Sequence, residues 1–223
     1  MKNFRPLAIF GAMALFASAQ AMAVPVFHLY DSAHNIDGAI NPGSGVSLGG
    51  FDTTTGLGSI RYTISGAGSH FAGLFVDHEI DESTNTFFNE NGAVSGAAAA
   101  GQSWEIDEPG YSFGDIFTNF TASALDNSNG VPAGSEDDVS MAMGWDFTLL
   151  AGETATIDFF LSEIAPGGFY LEQYDPDSQA SIYLSSSMRV GGGGGTVPEP
   201  ASLGLMGLGL LGLWQARRAK AAK

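Results

Sequence analysis

Apolar and polar residues alternate with a period of two along the middle of this chain. In the longest run, residues 139–150, every second residue is large and apolar, and those between are small or polar. Such alternation is typical of a β-strand with one buried face. A second run, 154–162, follows the turn Ala-Gly-Glu, which has the length of a hairpin turn. The pattern therefore predicts two consecutive strands joined as a hairpin.

Shorter runs of the same kind predict further strands, and clusters of Gly, Asn, Asp and Pro separate them as turns require. These strands are 26–30, 46–51, 60–64, 74–77, 103–106, 113–117, 169–174 and 180–188. No window in the body has the periodicity of a helix, and the four alanines 97–100 are too few to nucleate one. We therefore predict an all-β fold over residues 24–190, an antiparallel β-sandwich with a jelly-roll-like path.

The N-terminal 23 residues have the pattern of a secretory signal peptide. Lys2 and Arg5 precede the apolar stretch 7–17, and the small residues Ala21 and Ala23 stand before the expected cleavage point. A positive segment, an apolar segment and a small-residue cleavage site together predict export of the chain with removal of residues 1–23.

The C-terminal end contains a second set of signals. A flexible glycine linker, 191–196, leads into Val197 and the tripeptide Pro198-Glu199-Pro200, and an apolar segment, 201–214, follows. As a helix, these 14 residues reach roughly 21 Å, short of a bilayer core of about 30 Å. The basic residues Arg217, Arg218 and Lys220 come next. We predict a short membrane helix whose basic end stays cytoplasmic.

This tail resembles the PEP-CTERM sorting signal of Gram-negative bacteria. The resemblance implies that Pro198, Glu199 and Pro200 are recognised by an exosortase, a membrane cysteine transpeptidase, while the tail holds the protein in the inner membrane. It implies a type I arrangement, with the C-terminus cytoplasmic, before the protein passes to the cell surface. Bacteria with this system usually make an exopolysaccharide, which is then a candidate partner. The resemblance covers residues 197–223 alone and says nothing about the body.

Some proteins with the same tail are described as ice-binding, which raises the question of whether the body has that activity. Ice binding usually requires a flat, regular array of threonines. The run Thr53-Thr54-Thr55 is the only such candidate, and neighbouring residues of a strand point to opposite faces. The body therefore gives no support to ice binding.

The exported part is strongly acidic. Residues 24–196 contain 23 Asp and Glu but only two basic residues, Arg61 and Arg189, a formal net charge of −21. Such a surface repels nucleic acid and anionic lipid, so no nucleic-acid partner is expected. It suits cations, a neutral glycan, or solubility alone. The chain has no cysteine, which excludes disulfides and thiolate metal sites.

No catalytic motif is present, and we predict no catalytic residue. The sequence lacks G-x-S-x-G, H-E-x-x-H and a P-loop, and its four histidines lack ligand spacing. Histidines at surface strand ends are the favoured interpretation, with His78 beside Glu79 as the alternative metal candidate. A polysaccharide hydrolase stays open, because it would need only two carboxylates about 5–9 Å apart across a cleft.

Calcium is the candidate cofactor, because it binds six to eight oxygens from carboxylates and loop carbonyls. Three acidic loops offer such oxygens, and ordinary solvated turns are the alternative interpretation. The candidate ligands are Asp77, Glu79, Asp81, Asp126, Asp137, Asp138, Asp175 and Asp177. Carbohydrate binding would use aromatic faces beside polar groups, for which Tyr111, Tyr170, Tyr174 and Tyr183 are available.

Three functions are compatible with these features of the sequence. The first is a secreted, exosortase-sorted surface or matrix protein with a structural or binding role, associated with exopolysaccharide. The second is a calcium-stabilised adhesion or carbohydrate-binding module, and the third is an envelope polysaccharide hydrolase.

Overall fold

The computed structural model describes residues 24–83 and 85–192. The predicted signal peptide with Ala21 and Ala23, the motif Pro198-Glu199-Pro200, the apolar segment 201–214 and the basic end lie outside the described residues. Within the described ranges, no helix is both long and apolar enough to cross a membrane.

The described residues form two antiparallel sheets. We call sheet A the one with strand order β2-β1-β5-β8-β7, and sheet B the one with order β3-β4-β9-β11-β10-β6. The strands are β1 Phe27–Ile36, β2 Ala39–Ile40, β3 Val46–Phe51, β4 Gly58–Ser65, β5 Gly68–Ile80, β6 Asn91–Ser95, β7 Gln102–Asp107, β8 Ser140–Leu149, β9 Glu153–Ser162, β10 Tyr170–Asp175 and β11 Ala180–Gly192. A 3₁₀ turn, Phe87–Asn89, precedes β6, and one α-helix, α1 Ile116–Thr121, lies between β7 and β8.

The main core lies between the two sheets and follows from the alternation in the sequence. From β8 the side chains of Met141, Met143 and Trp145 point inward, and Ile157 and Phe159 do so from β9. All five are at most 5% exposed. Fully burying a side chain of this size contributes about 1.5–3 kcal/mol relative to leaving it in water. The all-β sandwich predicted from the sequence is therefore confirmed.

The connection after β8 differs from the predicted hairpin. β8 belongs to sheet A and β9 to sheet B, so the turn at residues 150–152 carries the chain from one layer to the other. The amide of Leu150 donates to the carboxylate of Glu153 (2.7 Å), and Gly152 adopts a left-handed conformation with φ +83°. Alternation could not distinguish a hairpin within one sheet from a connection between two sheets, because strands on either side of one core have the same pattern.

The strand order also differs from the jelly-roll-like path that we predicted from the sequence. A jelly roll is built from eight strands arranged as two Greek keys. Here eleven strands are divided into sheets of five and six, and β3–β4 and β10–β11 are local hairpins at separate positions in sheet B. The fold is a sandwich with its own strand order.

A third layer covers the outer face of sheet A. We call residues 108–139, which join β7 to β8, the covering segment. Phe117 and Phe120 of α1 pack on Phe75 of β5, with ring centroids 5.3 and 5.9 Å apart. Ile116 and Leu125 complete this second apolar cluster. Strand β5 is therefore buried on both of its faces.

The strand predicted at 113–117 is wrong, because the chain forms α1 from Ile116 onward. Ile116 and Phe120 are four residues apart, so a helix places both on the face that packs on sheet A. The helix ends with the hydrogen bonds of a Schellman motif, from Ser123 N to Phe120 O and from Ala124 N to Asn119 O. Ser123 takes the left-handed conformation, φ +57°.

The remaining predicted strands are present, most of them with shifted ends. β3 has the predicted bounds, whereas β5 is much longer than the predicted 74–77, and β11 continues to Gly192 within the glycine run. β6 was not predicted, since Asn91–Ser95 contains only two apolar side chains.

We expect Phe75→Ala to destabilise the fold by about 3–5 kcal/mol, because its ring joins β5 to α1 and is fully buried. For a domain of this size that corresponds to a fall in Tm of about 2–4 °C per kcal/mol, measurable by thermal unfolding of the full chain. Phe113→Ala is the control, since Phe113 is a phenylalanine of the covering segment that is 71% exposed. Equal effects of the two substitutions would contradict the packing of the covering segment on sheet A.

Candidate functional site

Carboxylates gather on the outer face of sheet A, beside the end of the covering segment. Asp77 and Glu79 are two residues apart on β5, so both point away from the core between the sheets. Asp77 lies opposite Asp31 of β1 and Ser140 of β8. A β-bulge at Tyr30 shifts the register of β1 just before Asp31. The pairing of three strands thus brings acidic residues from distant parts of the sequence together.

Asp77 and Glu79 line a cavity of about 260 Å³, which we call the acidic cavity. Asp77 and Glu79 are buried, at 1% and 5% exposure, whereas the tyrosines and Glu82 are exposed. The lining residues are Tyr30, Asp77, Glu79, Glu82, Phe87, Tyr111 and Asp138.

Some of these carboxylates have protein donors and others do not. The hydroxyl of Ser140 donates to Asp77 Oδ1 (2.8 Å), and the hydroxyl of Tyr111 donates to Asp31 Oδ2 (2.8 Å). By contrast, Glu79 Oε2 and Asp138 Oδ1 are buried and have no hydrogen-bond partner in the described part of the chain. Buried polar atoms are nearly always paired in folded proteins, so a proton, a water molecule or an ion is the expected partner of these two oxygens.

The electrostatics of the acidic cavity favour neutralisation of its carboxylates. Burial first, and neighbouring negative charges second, raise the pKa of Asp77 to about 7, that of Glu79 to about 8 and that of Asp138 to about 6. Neither arginine between residues 24 and 192 compensates, because both bind Asp158 on sheet B, and the basic residue that the strand register places opposite Glu79 is His28. A proton or a cation must therefore balance the charge.

Two kinds of chemistry fit this arrangement. A hard cation would accept the carboxylate oxygens as ligands. Alternatively, a protonated carboxyl beside an ionised one could serve in general acid–base hydrolysis of a glycosidic bond. The lining favours the cation, because Asp77, Glu79 and Asp138 offer the carboxylate oxygens that a hard cation binds.

A second acidic group lies at the other edge of sheet A. Glu105 and Asp107 of β7 and Asp115, just before α1, have carboxylate oxygens within 4.8 Å of one another. Burial raises the pKa of Glu105 to about 7. Both of its oxygens are paired, however, since Asn119 Nδ2 donates to Oε1 (3.0 Å) and the amide of Asp126 to Oε2 (3.3 Å). Sequence reasoning missed this group because its residues are brought together only by the packing of α1 beside β7.

The structure divides the eight predicted calcium ligands among several places. Asp77, Glu79 and Asp138 meet in the acidic cavity. Asp77 lies in a strand, as the predicted strand 74–77 has it, but the expectation that Glu79 belongs to an acidic loop is wrong, because β5 extends to Ile80. Asp126 lies near Glu105, and the backbone of Asp137 pairs with that of Glu90.

The other three predicted ligands, Asp81, Asp175 and Asp177, surround the turn after β10. The side chain of Asn85 donates to both oxygens of Asp175 (2.9 Å each), and Asn89 donates to Asp175 and Asp177. Burial alone would raise the pKa of Asp175, but hydrogen bonds from Ser178, Asp177 and Asn85 together lower it. Protein donors thus satisfy the Asp175 carboxylate, which has the contacts of a structural turn.

The predicted surface position is wrong for His78. This side chain is fully buried, and burial lowers its pKa to about 4. As a neighbour of Glu79 on β5, it points to the opposite face of the sheet. His78 therefore does not join Glu79 in the acidic cavity.

An aromatic groove of about 800 Å³ opens at a different place, where sheet B meets the end of β8. Four rings line it, those of Trp145, Phe160, Phe169 and Tyr183. Hydroxyl groups stand beside them, on Ser162, Ser185, Ser186 and Ser187, and Ile164 to Gly168 form one wall. We call this feature the aromatic groove.

Hydrogen bonds fix one end of the aromatic groove. Ser186 Oγ accepts from Trp145 Nε1 (2.8 Å) and from Gln102 Nε2 (3.0 Å). These bonds join β11 of sheet B to β8 and β7 of sheet A, so the indole is held in place before any ligand arrives. Of the predicted carbohydrate-binding tyrosines, Tyr183 lines the aromatic groove. The ring of Tyr170 packs edge-on against the ring of Tyr183, with centroids 5.4 Å apart. Tyr111 lines the acidic cavity instead.

Comparison with known proteins identifies the tail. The PEP-CTERM protein-sorting motif matches residues 196–219, which confirms the resemblance seen in the sequence. No curated protein and no solved structure matches the chain. The two antiparallel sheets and this motif define an exported all-β protein with an anchor-like sorting tail. The chain has a PEP-CTERM sorting motif at its C-terminal end, and this motif implies processing by an exosortase.

Glu90, near the acidic cavity, provides a test of its electrostatics. Its carboxylate is fully buried, accepting from the amide of Ile80 (3.1 Å) and from the side chain of Gln173. Burial raises the pKa of Glu90 to about 9, despite these bonds, and the charges of Glu79 and Asp138 add to the effect.

We expect Glu90→Gln to gain stability relative to the parent chain as the pH rises from 5 to 9 in chelator. The folded parent retains a proton that the unfolded chain releases above its ordinary pKa near 4.5. The stability that the protonated Glu90 carboxyl contributes is complete below pH 4.5 and is lost as the pH rises through about 9. Chemical unfolding at several pH values measures the difference. Glu163→Gln, at an exposed position, should show no such trend, and parallel curves for Glu90→Gln would contradict the assignment.

Proposed function

We propose that this protein is an exosortase-sorted component of the bacterial surface or extracellular matrix, and that its β-sandwich binds exopolysaccharide. The sorting motif supports export and surface delivery. Bacteria with this sorting system usually make an exopolysaccharide, so that a polysaccharide ligand is present where the protein is delivered.

The aromatic groove is the observation that carries the binding role. Sugar rings present apolar C–H faces that stack on aromatic side chains, and their hydroxyls need hydrogen-bond partners beside those faces. The groove offers the exposed or partly exposed rings of Phe160, Phe169 and Tyr183 beside serine hydroxyls, with the buried indole of Trp145 on its core side. Its volume lies within the range of ligand sites. The bonds from Trp145 and Gln102 to Ser186 pre-organise this surface, which lowers the entropy cost of binding.

The charge of the body restricts the kind of glycan. Residues 24–196 have a net charge of −21, and the two arginines of this part of the chain are already paired with Asp158. An anionic polysaccharide would be repelled. A neutral glycan is therefore the ligand class that the surface accepts.

We expect Phe160→Ala to weaken binding of the host's neutral exopolysaccharide at least tenfold, equivalent to about 1.4 kcal/mol. Phe160 lines the aromatic groove and is 43% exposed, so its truncation removes a stacking face without opening the core. Titration of the full chain in detergent against purified polysaccharide measures the change.

Phe88→Ala is the matched control for this experiment. Phe88 is 58% exposed and belongs to the 3₁₀ turn, outside the aromatic groove. Its substitution should leave the affinity unchanged. Equal affinities for all three proteins, or no retention of the parent on polysaccharide, would count against the proposal.

Hydrolysis of an envelope polysaccharide is the second candidate function. In the acidic cavity, the carboxyl of Asp77, whose pKa is raised, lies beside other carboxylates and the rings of Tyr30 and Tyr111. Release of new reducing ends during the binding experiment would support hydrolysis. An intact polysaccharide after long incubation would support binding alone.

We expect replacement of Pro198, Glu199 and Pro200 by alanine to leave an unprocessed, membrane-held form in the host, because the exosortase would lose its recognition motif. Immunoblotting of membrane and external fractions measures the ratio of the two forms. Replacing Gly193, Gly194 and Gly195 by alanine changes as many residues outside the motif and should not affect processing. Normal processing of the motif variant would disprove the role of the tripeptide.

A further inference from the structure

We propose that the acidic cavity is a calcium site, with the carboxylates of Asp77, Glu79 and Asp138 as its protein ligands. These three side chains line one cavity of about 260 Å³. The proposal does not depend on glycan binding, since the aromatic groove has no lining residue in common with this cavity.

The unpaired oxygens give the first argument for a ligand. Glu79 is only 5% exposed, yet its Oε2 has no hydrogen-bond partner in the described ranges, and the same holds for Asp138 Oδ1. A buried carboxylate oxygen without a partner is unfavourable unless something else satisfies it. Both residues line the same cavity, so a cation that drew their side chains together would satisfy both oxygens. Some side-chain movement is needed for all three carboxylates to contact one ion, because the described group whose oxygens already lie within 4.8 Å of one another is that of Glu105, Asp107 and Asp115.

The charge balance around the cavity gives the second argument. Asp31 lies beside Asp77 on the neighbouring strand, and Glu82 lines the opening, so five carboxylates lie close together. No arginine or lysine of the described ranges is near, because Arg61 and Arg189 bind Asp158 on sheet B. A divalent cation would supply the missing positive charge.

The donor atoms favour calcium over other metals. The side chains lining the cavity offer carboxylate and phenol oxygens, and no histidine or cysteine is among them. Zinc prefers nitrogen and sulfur ligands. Magnesium requires a tight octahedron and retains most of its waters, whereas calcium accepts six to eight oxygens in irregular geometry. The cavity offers carboxylates from a strand and from the end of a loop, and water can fill the remaining volume. This irregular set of oxygen ligands is one that calcium accepts.

A bound cation at this position would join the covering segment to sheet A. Asp77 and Glu79 belong to β5, and Asp138 lies in the covering segment, two residues before β8 begins. Calcium should therefore raise the stability of the native state, since a ligand that binds only the folded chain stabilises it by mass action.

Thermal unfolding of the full chain in detergent tests this site, with calcium chloride, with magnesium chloride at matched ionic strength, and with chelator. At 100 times the dissociation constant, calcium should raise Tm by about 5–10 °C above the value in chelator, and magnesium should raise it much less. Glu79→Gln and Asp138→Asn should abolish the calcium-dependent rise. Neither should lower Tm in chelator, because each replaces an uncompensated buried carboxylate by a neutral isostere.

Asp115→Asn is the matched control, because Asp115 belongs to the acidic group formed with Glu105 and Asp107. Retention of the calcium effect in this variant supports the acidic cavity as the site. Loss of the effect in Asp115→Asn but not in Glu79→Gln would overturn the proposal and place the ion at the other edge of sheet A. Identical Tm values in calcium, magnesium and chelator would overturn it as well.

Terbium luminescence gives a second test that does not depend on stability. Tb³⁺ replaces Ca²⁺ at oxygen sites and emits when a nearby tyrosine is excited, and both Tyr30 and Tyr111 line the acidic cavity. Sensitised emission that calcium displaces, and that falls at least twofold in Tyr111→Phe, is the expected result. Emission unchanged by Glu79→Gln would overturn the proposal.

Discussion

The structure depends on the burial of β5 on both of its faces. Leu74 and Val76 contribute to the core between the sheets, and Phe75 packs under α1. A strand in the middle of a sheet cannot expose its polar residues if a further layer covers its outer face. The carboxylates of Asp77 and Glu79, at the end of the same strand, are therefore forced into the interior. The acidic cavity is a consequence of the same covering segment that gives sheet A its second apolar layer.

Different partners stabilise the buried carboxylates of this protein. Asp158 of β9 is 5% exposed and is neutralised by two arginines. Asp175 is fully buried and receives amide donors from Asn85 and from the backbone of its own turn. Glu105 is paired with Asn119 and a backbone amide. Glu79 Oε2 has none of these, so it differs from these other buried carboxylates in its lack of a partner and not in its degree of burial.

Periodicity predicted the fold class and most strands, because alternation records which side chains face a core. It did not predict which sheet a strand joins, since β8 and β9 have the same pattern on opposite sides of one core. It also failed at α1, because in a segment of only six residues the apolar pattern of a helix is hard to distinguish from that of a strand. Lateral strand pairing is encoded in contacts between distant residues, which no local pattern reveals.

The candidate site shows the same limits. Asp77, Glu79 and Asp138 could be selected from the sequence because they lie in dense acidic runs, but Asp175 could be selected for the same reason and proves to be paired within the protein. Asp31 gave no signal, because only the bulge in β1 brings it beside Asp77. Local acidity therefore cannot separate a structural turn from a cation site. The distinction requires the partners of each oxygen.

The positions of the two candidate sites indicate that they act independently. Both are anchored on β8, with Asp138 just before its first residue and Trp145 towards its far end. Seven residues of extended chain span roughly 23 Å. The acidic cavity lies on the outer face of sheet A, whereas the aromatic groove opens beside sheet B. A cation held in the cavity would therefore rigidify the scaffold without touching a glycan in the groove. Its contribution would be to the stability of the exported domain, in a compartment where the chain has no disulfide to supply it.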